Sequence, residues 1–239
     1  MVFPIDELVK GSKNKQAIKL LLLQASKAFI SWETIWSEFI SAPIKEEFLE
    51  KVNILEELRC YSDGGYPNAE RHRICFSRVS NKAFFSSRPV PLKGLNIQGN
   101  FLFDRAQKSD FRKSLEGIGA SSKEIGDIWL KGDRGAQVIC TPEVSLRLNG
   151  KTGMVRNVEI HCESLQIDQL TLPATRLPKR FKSVEASKRL DAIASAGFGM
   201  SRGKIAKQIK LGRLRLNWEP IKLASRLVLI GDRIQLEDK

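Results

Sequence analysis

A chain of 239 residues with 42% hydrophobic and 28% charged content can bury cores in two or three small domains, which excludes a wholly disordered chain. Its formal charge is +13, yet residues 176–226 hold fourteen Lys and Arg against three acids, Glu185, Asp191 and Glu219; that segment alone carries +11 and the rest is nearly neutral. No apolar run approaches the roughly 20 residues of a membrane-spanning helix, the longest near the start being residues 20–23 within a charged helix, so no membrane insertion is expected.

In chain order, the apolar spacing predicts helices over residues 13–30, over 32–40 after a Ser31 cap, and over 43–58, where Pro43 lies in the first turn with Glu46 and Glu47 behind it. This is a helical N-terminal domain, residues 1–62. Phe29, Trp32, Trp36 and Phe39 recur at helical spacing and read as core packing in preference to a base-stacking platform. Residues 62–67 then break the pattern. Four cysteines, Cys60, Cys75, Cys140 and Cys162, form no Cys-x-x-Cys pair and no secretory apolar region precedes them, which predicts reduced thiols. Asp6 and Glu7 argue against an acid-poor targeting leader. A cytoplasmic location is expected.

A strand over 90–98, a helix over 110–116 stopped by Gly117 or Gly119, and a hairpin of 127–130 with 136–140 around Gly132-Asp133-Arg134-Gly135 follow. Thr141-Pro142-Glu143 opens another helix ending at Asn149-Gly150, and residues 155–163 alternate with Val158, Ile160 and Cys162 on one face. The order βαββαβ predicts a ferredoxin-like, RRM-like middle domain over residues 63–172, an order that assigns no function by itself. Its third strand, Ala136-Gln137-Val138-Ile139-Cys140, lacks the aromatic pair on which RNA-recognition motifs stack bases, so ordinary single-strand readout is not expected. A short basic segment bearing Pro173 and Pro178 marks the boundary to the last domain, residues 183–239.

There the first helix, 188–196, carries Leu190, Ile193 and Ala194 on one stripe, with Gly197 placed to stop it. Ser201 caps a second helix whose apolar stripe is Ile205, Ala206 and Ile209, while Lys204, Lys207 and Lys210 fan across its solvent side. Gly212 ends this helix. Arg213-Leu214-Arg215-Leu216-Asn217 follows with period two, turning the leucines inward and the arginines outward. Concentrated, outward-facing cations on one folded module favour a polyanion partner over a merely solvated face. A membrane surface is the weaker polyanion, because the helices offer no exposed Trp or Phe ladder for lipid.

Arg189-Leu190-Asp191, Gly197, Ser201-Arg202, Ala206, Ile209, Gly212, Leu216-Asn217 and Gly231-Asp232-Arg233-Ile234 resemble, in order and spacing, the S4-type RNA-binding domain. The resemblance implies a small module that docks on structured RNA and carries no chemistry. Trp218 departs from it, since the family usually places Gly in that turn. Upstream, Gly64-Gly65-Tyr66, Ala69-Glu70-Arg71-His72-Arg73, the helix over 110–119 and Ile125-Gly126-Asp127-Ile128 are similar to the YlmH family, particularly its cyanobacterial and plastid branch of photosystem II S4-domain proteins. This likeness spans nearly the whole chain. It implies association with the large ribosomal subunit, where some members hold peptidyl-tRNA during ribosome-associated quality control; cell division and photosystem II are looser labels. The chain departs from the family at Lys108-Ser109, typically His-Arg, and at Arg112-Lys113-Ser114, typically Leu-Gly-Ala.

No chemistry competes well. Residues 197–204 have neither Rossmann nor P-loop spacing, Gly150-Lys151-Thr152 lacks the first glycine and the preceding strand, and Gly117-Ile118-Gly119 lacks an acidic ribose partner. His161 and Cys162 point to opposite faces of a strand, and His72 and Cys75 lack a second pair, so no metal is expected. Arg189-Leu190-Asp191 is similar to the catalytic triplet of pseudouridine synthases, but lies inside the binding module, with only three residues after Leu236. The expectation is a non-enzymatic RNA-binding protein without cofactor, directed to rRNA or tRNA at the large ribosomal subunit. Arg189, Arg202, Lys204, Lys207, Lys210, Arg213 and Arg215 are expected to meet phosphates or grooves, with Ser201 and Asn217 shaping the turns and offering hydrogen bonds. The rivals are an RNA-modifying enzyme with its active site in the middle domain, and an adaptor for photosystem assembly whose basic surface meets an acidic protein. The RNA, the cellular process and the oligomeric state stay open.

Overall fold

Helix α2, Lys15–Ser31, buries Ile18, Leu21, Leu22, Ala25, Ala28 and Phe29 along one face, the spacing that wraps an apolar stripe around a helix. In the computed structural model, which describes residues 4–79, 91–173, 180 and 182–236, the chain divides into two compact units, Met1–Arg176 and Leu177–Lys239. Unit 1 starts with α1, Ile5–Val9, and α2, then β1, Ile35–Trp36, β2, Ile40–Ser41, α3, Ala42–Val52, β3, Leu58–Asp63, and β4, Arg71–Arg78. The stripe of α2 packs on Phe48 and Val52 of α3 and on Ile74 and Phe76 of β4. The N-terminus of α2 is capped from α3: the Glu47 carboxylate accepts the Lys13 N–H at 2.8 Å, the Asn14 N–H at 3.3 Å and the Asn14 side-chain amide at 2.9 Å. The Asn14 N–H is among the donors that a helix start leaves open, and the three bonds together hold the Glu47 pKa below its usual value against the opposing pull of desolvation.

The expected helix over 32–40 does not form. Trp32 ends α2 with φ 60°, and the chain then lays β1 and β2 in tandem along one edge of β4, pairing Ile35 with Phe76 and Ile40 with His72, while β3 takes the other edge. The N-terminal part of the α+β fold therefore carries a small antiparallel sheet beside its helices. Tertiary pairing with β4 overrides the helical spacing of the aromatics: Phe29 and Phe39 sit in different cores, and Trp32 is exposed beneath the Arg78 guanidinium, 4.2 Å from its ring centroid. Likewise the helix expected over 43–58 stops at Val52, and the division expected at 62–63 falls inside the β3–β4 hairpin, where Ser62 pairs with Ile74.

The remainder of unit 1 runs β5, Lys93–Gln98, α4, Lys108–Gly117, β6, Ile125–Leu130, β7, Gly135–Cys140, α5, Pro142–Leu148, β8, Thr152–Val155, and β9, Val158–Leu165. The antiparallel sheet has the order β6-β7-β5-β9-β8, a ferredoxin-like arrangement with β8 added at the edge. The run expected as one strand over 155–163 is broken by a turn at Arg156, φ 56°, so it forms the β8–β9 hairpin. Val90, expected to open β5, lies outside the described residues. Leu95, Ile97, Val138, Cys140, Ile160 and Cys162 face α4 and α5, whose Phe111, Leu115, Val144 and Leu148 complete the core.

Asp127 joins the two halves of this unit. Its carboxylate accepts the Tyr66 hydroxyl at 2.8 Å, the Glu70 N–H at 2.7 Å and the Arg71 N–H at 3.1 Å. The Arg71 guanidinium in turn donates to the Ile125, Phe39 and Ser122 carbonyls. Close approach makes two glycines necessary here: a Cβ on Gly64 would stand 2.4 Å from the Ala69 Cβ and the Arg71 carbonyl, and one on Gly126 would stand 2.7 Å from the Phe39 ring. The glycine and charged motifs upstream of the last domain are thus parts of a joint.

Unit 2 contains α6, Leu190–Phe198, α7, Arg202–Lys210, β10, Leu214–Leu216, β11, Glu219–Pro220, and β12, Ile234–Leu236, in a sheet ordered β11-β10-β12. Leu190, Ala194, Ile205, Ile209, Leu214, Leu216 and Leu236 form its core. Gly197 does not stop α6. The helix runs on to Phe198, which packs against the core, and Gly199 ends it at φ 62° with its N–H donating to the Ala196 carbonyl. Among the described residues no helix is long and apolar enough to cross a membrane.

Candidate nucleic-acid interface

Ser201 stands before α7 with extended backbone, and its hydroxyl accepts the Lys204 N–H at 3.4 Å, a long helix cap of the expected kind. With Ile205 and Ile209 buried, the rest of the helix surface carries Arg202, Lys204, Lys207 and Lys210 into solvent. In β10 and the residue before it the period of two buries Leu214 and Leu216 and exposes Arg213 and Arg215. Lys204, Lys207, Lys210, Arg213 and Arg215 enter no ion pair among the described residues, so their charges are not cancelled by a protein neighbour.

Arg189 and Arg202 differ from those five. Arg189 Nε and Nη2 meet Asp191 Oδ1 and Oδ2 at 3.1 and 3.0 Å, a bidentate pair across the start of α6, and Arg202 Nη2 lies 3.6 Å from Glu185. The hydrogen bonds from Arg189 hold the Asp191 pKa below the usual carboxylate range, and Asp191 raises that of Arg189 in return. A depressed Asp pKa gives a contribution that is complete above the ordinary Asp value and lost as pH falls through the lowered one. At this exposed site that contribution is small. For RNA, both arginines would have to exchange a carboxylate for a phosphate.

Asn217 and Trp218, at φ 50° and 73°, form the two-residue turn from β10 to β11, both in the left-handed region that a tight hairpin turn needs. Asn217 is tied at both side-chain polar atoms and its amide nitrogen: its side-chain NH2 donates to Asp232 Oδ1 at 2.7 Å, its Oδ1 accepts the Arg233 N–H at 2.9 Å, and its own N–H donates to the Arg233 carbonyl at 2.8 Å. Asp232 Oδ2 accepts the Leu229 N–H at 2.7 Å, and these two bonds, the backbone one first, hold the Asp232 pKa below its usual value. Trp218 occupies its turn position under the Arg233 guanidinium, 5.0 Å from the ring centroid. Asp232 was not singled out from its chemistry in the sequence; its signal was its place in Gly231-Asp232-Arg233-Ile234. Asn217→Ala should lower the stability of unit 2 by about 1–2 kcal/mol, read in a thermal melt, with RNA affinity per folded molecule unchanged. Weaker binding with an unchanged melt would instead make the Asn217 amide a direct RNA contact.

Among the described residues no three His, Cys, Asp or Glu side chains gather as a metal cluster. The N-terminal domain model of the YlmH family matches residues 13–80, a span that includes the whole β3–β4 hairpin, and the S4 domain model matches residues 188–234. The chain is similar to the ribosome-associated protein quality control protein P2 of Bacillus subtilis (strain 168), with 24% identity over 195 residues that cover 81% of this chain and 74% of that protein. Its fold is similar to that of the cell division protein ylmH from Streptococcus pneumoniae, with a TM-score of 0.53 and 15% identity, covering 66% of this chain and 93% of the other.

Proposed function

We propose, from the premise that this chain is a YlmH-family S4-domain protein, that it binds structured RNA without catalysing a reaction, and that its target is rRNA or tRNA at the large ribosomal subunit. The observation that carries this reading is the set of five solvent-facing cations without ion-pair partners among the described residues, on α7 and β10. Lys204, Lys207, Lys210, Arg213 and Arg215 are the primary phosphate contacts. Arg189 and Arg202 join them by leaving Asp191 and Glu185, while Ser201 and Asn217 serve the fold of the module, as the cap of α7 and the turn after β10. Ribosome association is what the Bacillus relative is named for; carried to this chain it implies a place among cytoplasmic ribosomes. Unit 1, with a net charge of +4 over its 176 residues against +9 over the 63 of unit 2, positions unit 2 against its target.

In sucrose gradients the protein should co-sediment with large subunits at low salt and leave them as salt rises, because phosphate contacts release counterions. Sedimentation at the top of the gradient at low salt, with stalled complexes present, would remove the ribosomal target. Retention on free rRNA or tRNA in the same buffer would leave the RNA-binding reading standing.

A further inference from the structure

The loop over residues 99–106, between β5 and α4, is pinned along its length yet leaves two large apolar side chains in water. Phe101 is buried against Phe111, ring centroids 5.0 Å apart, and its N–H donates to the Asp133 carbonyl at 2.8 Å. Asn100 Oδ1 accepts the Leu102 N–H at 3.2 Å, and Asp104 is held by Arg156 Nε at 2.6 Å and by the Asn157 side-chain amide at 3.3 Å. Between these anchors Leu102 is 55% and Phe103 94% exposed. A ring so exposed adds nothing to the core, and the anchors fix it in place, so its position is prepared for a partner.

The surroundings identify the partner's chemistry. Arg105 and Arg134 are exposed and Lys131 is half-buried, and none of the three is in an ion pair among the described residues. The β6–β7 turn that carries Lys131 and Arg134 is fastened to the loop by the Gly99 N–H, which donates to the Arg134 carbonyl at 3.2 Å. The start of the loop and the turn together wall a hollow of about 370 Å³, lined by Asn96, Gln98 and Asn100 and by Lys131, Asp133 and Arg134; Phe103 and Arg105 follow three and five residues after Asn100 on the same loop, outside that lining. The amides of Asn96 and Gln98 also donate to the Glu163 carboxylate, at 3.4 and 3.3 Å, so what the site offers a nucleotide is chiefly a free π-face and cations for phosphate, the groups that hold an unpaired base and its backbone. An acidic peptide would use the cations and leave the ring idle. An apolar protein pocket would use the ring and strand the cations at its rim.

We propose that this loop is a second RNA contact, taking an unpaired nucleobase on Phe103 and the flanking phosphates on Arg105, Lys131 and Arg134. The site differs from the sheet-face platform of an RNA-recognition motif, since its aromatic is on a loop and the neighbouring sheet face presents amides. It rests on the RNA-binding reading above, and the test separates the two. The full-length protein is titrated with an RNA hairpin carrying 2-aminopurine in an unpaired loop, and with a fully paired RNA of equal charge. Phe103→Ala should weaken the looped RNA about 10-fold or more, the range of one lost base stack, abolish the change in 2-aminopurine fluorescence, and leave the paired RNA unaffected. Phe103→Trp should retain binding, and Phe103→Leu, which keeps an apolar side chain but no π-face, should behave as Ala does. All three side chains are at the surface, so an unchanged melt shows that folding is intact. Equal affinity of wild type, Phe103→Ala and Phe103→Leu for the looped RNA overturns this site alone, as does a protein partner captured by wild type and Phe103→Leu equally with no fluorescence change. Failure of wild type to bind either RNA overturns the RNA-binding reading and this site with it.

Discussion

Replacement of Lys204, Lys207 and Lys210 together by Ala should reduce affinity for a structured RNA roughly 100-fold near 0.1 M salt and flatten the log–log salt dependence by about 2–3. Each lysine contributes one positive charge with no ion-pair partner among the described residues, and just under one turn of helix separates each from the next. Fold stability should hold, because the three side chains are exposed and Ala is at least as good a helix former as Lys. Arg202 is left intact in this variant: its pairing with Glu185 at 3.6 Å means that removing it changes two charges' environments at once. Filter binding at several salt concentrations, with a thermal melt alongside, measures both quantities. An unchanged salt slope in a folded triple variant would move the RNA surface away from α7.

The second large effect belongs to unit 1 and to its stability. Asp127→Ala should destabilise that unit by about 3–5 kcal/mol, roughly 10 °C in its melting temperature. Asp127 is 9% exposed and accepts from two backbone N–H groups and one tyrosine hydroxyl, so its removal strands three donors at once. It also lies close to two half-buried guanidiniums, Arg71 and Arg112. Burial lowers the pKa of each and Arg112 further lowers that of Arg71, with Asp127 opposing both shifts. Asp127→Asn should fall between Ala and wild type, since its amide can still accept but sets an NH2 against a facing donor. Differential scanning calorimetry of the full-length variants reads the effect. A loss below about 1 kcal/mol would mean that water replaces the carboxylate readily and that the joint is not held by it.

Much of unit 2 was legible in the sequence for a physical reason. The spacing of Ile205 and Ile209 and the alternation of Leu214 and Leu216 are local periodicities, and a half-buried helix or strand writes its buried face into its own residues. The βαββαβ order of elements along the middle of the chain was legible on the same grounds, although β8 was not set apart from β9. Strands β1 and β2, two residues each, were not legible, because nothing within Ile35-Trp36 or Ile40-Ser41 specifies a strand; the partner is β4, thirty or more residues away. The cap that Glu47 gives α2 is also non-local, as is the Asp127 joint. At the candidate interface the sequence indicated which cations face outward. It did not indicate that Asp191 and Glu185 engage two of them, nor that Asn217 is consumed by Asp232 and Arg233.

The Asp127 joint also sets a timetable for biosynthesis. Its partners Tyr66, Glu70 and Arg71 are translated 61, 57 and 56 residues ahead of it. While the chain is being made, the β3–β4 hairpin therefore reaches the tunnel exit with the donors of its connecting segment still hydrated, and they stay so until β6 emerges. Domains generally mature as units, and contacts of such separation close late. The link between the N-terminal sheet and β6 thus waits on a residue more than fifty positions further along the chain, and a nascent chain arrested before Asp127 leaves the tunnel presents unit 1 unlatched.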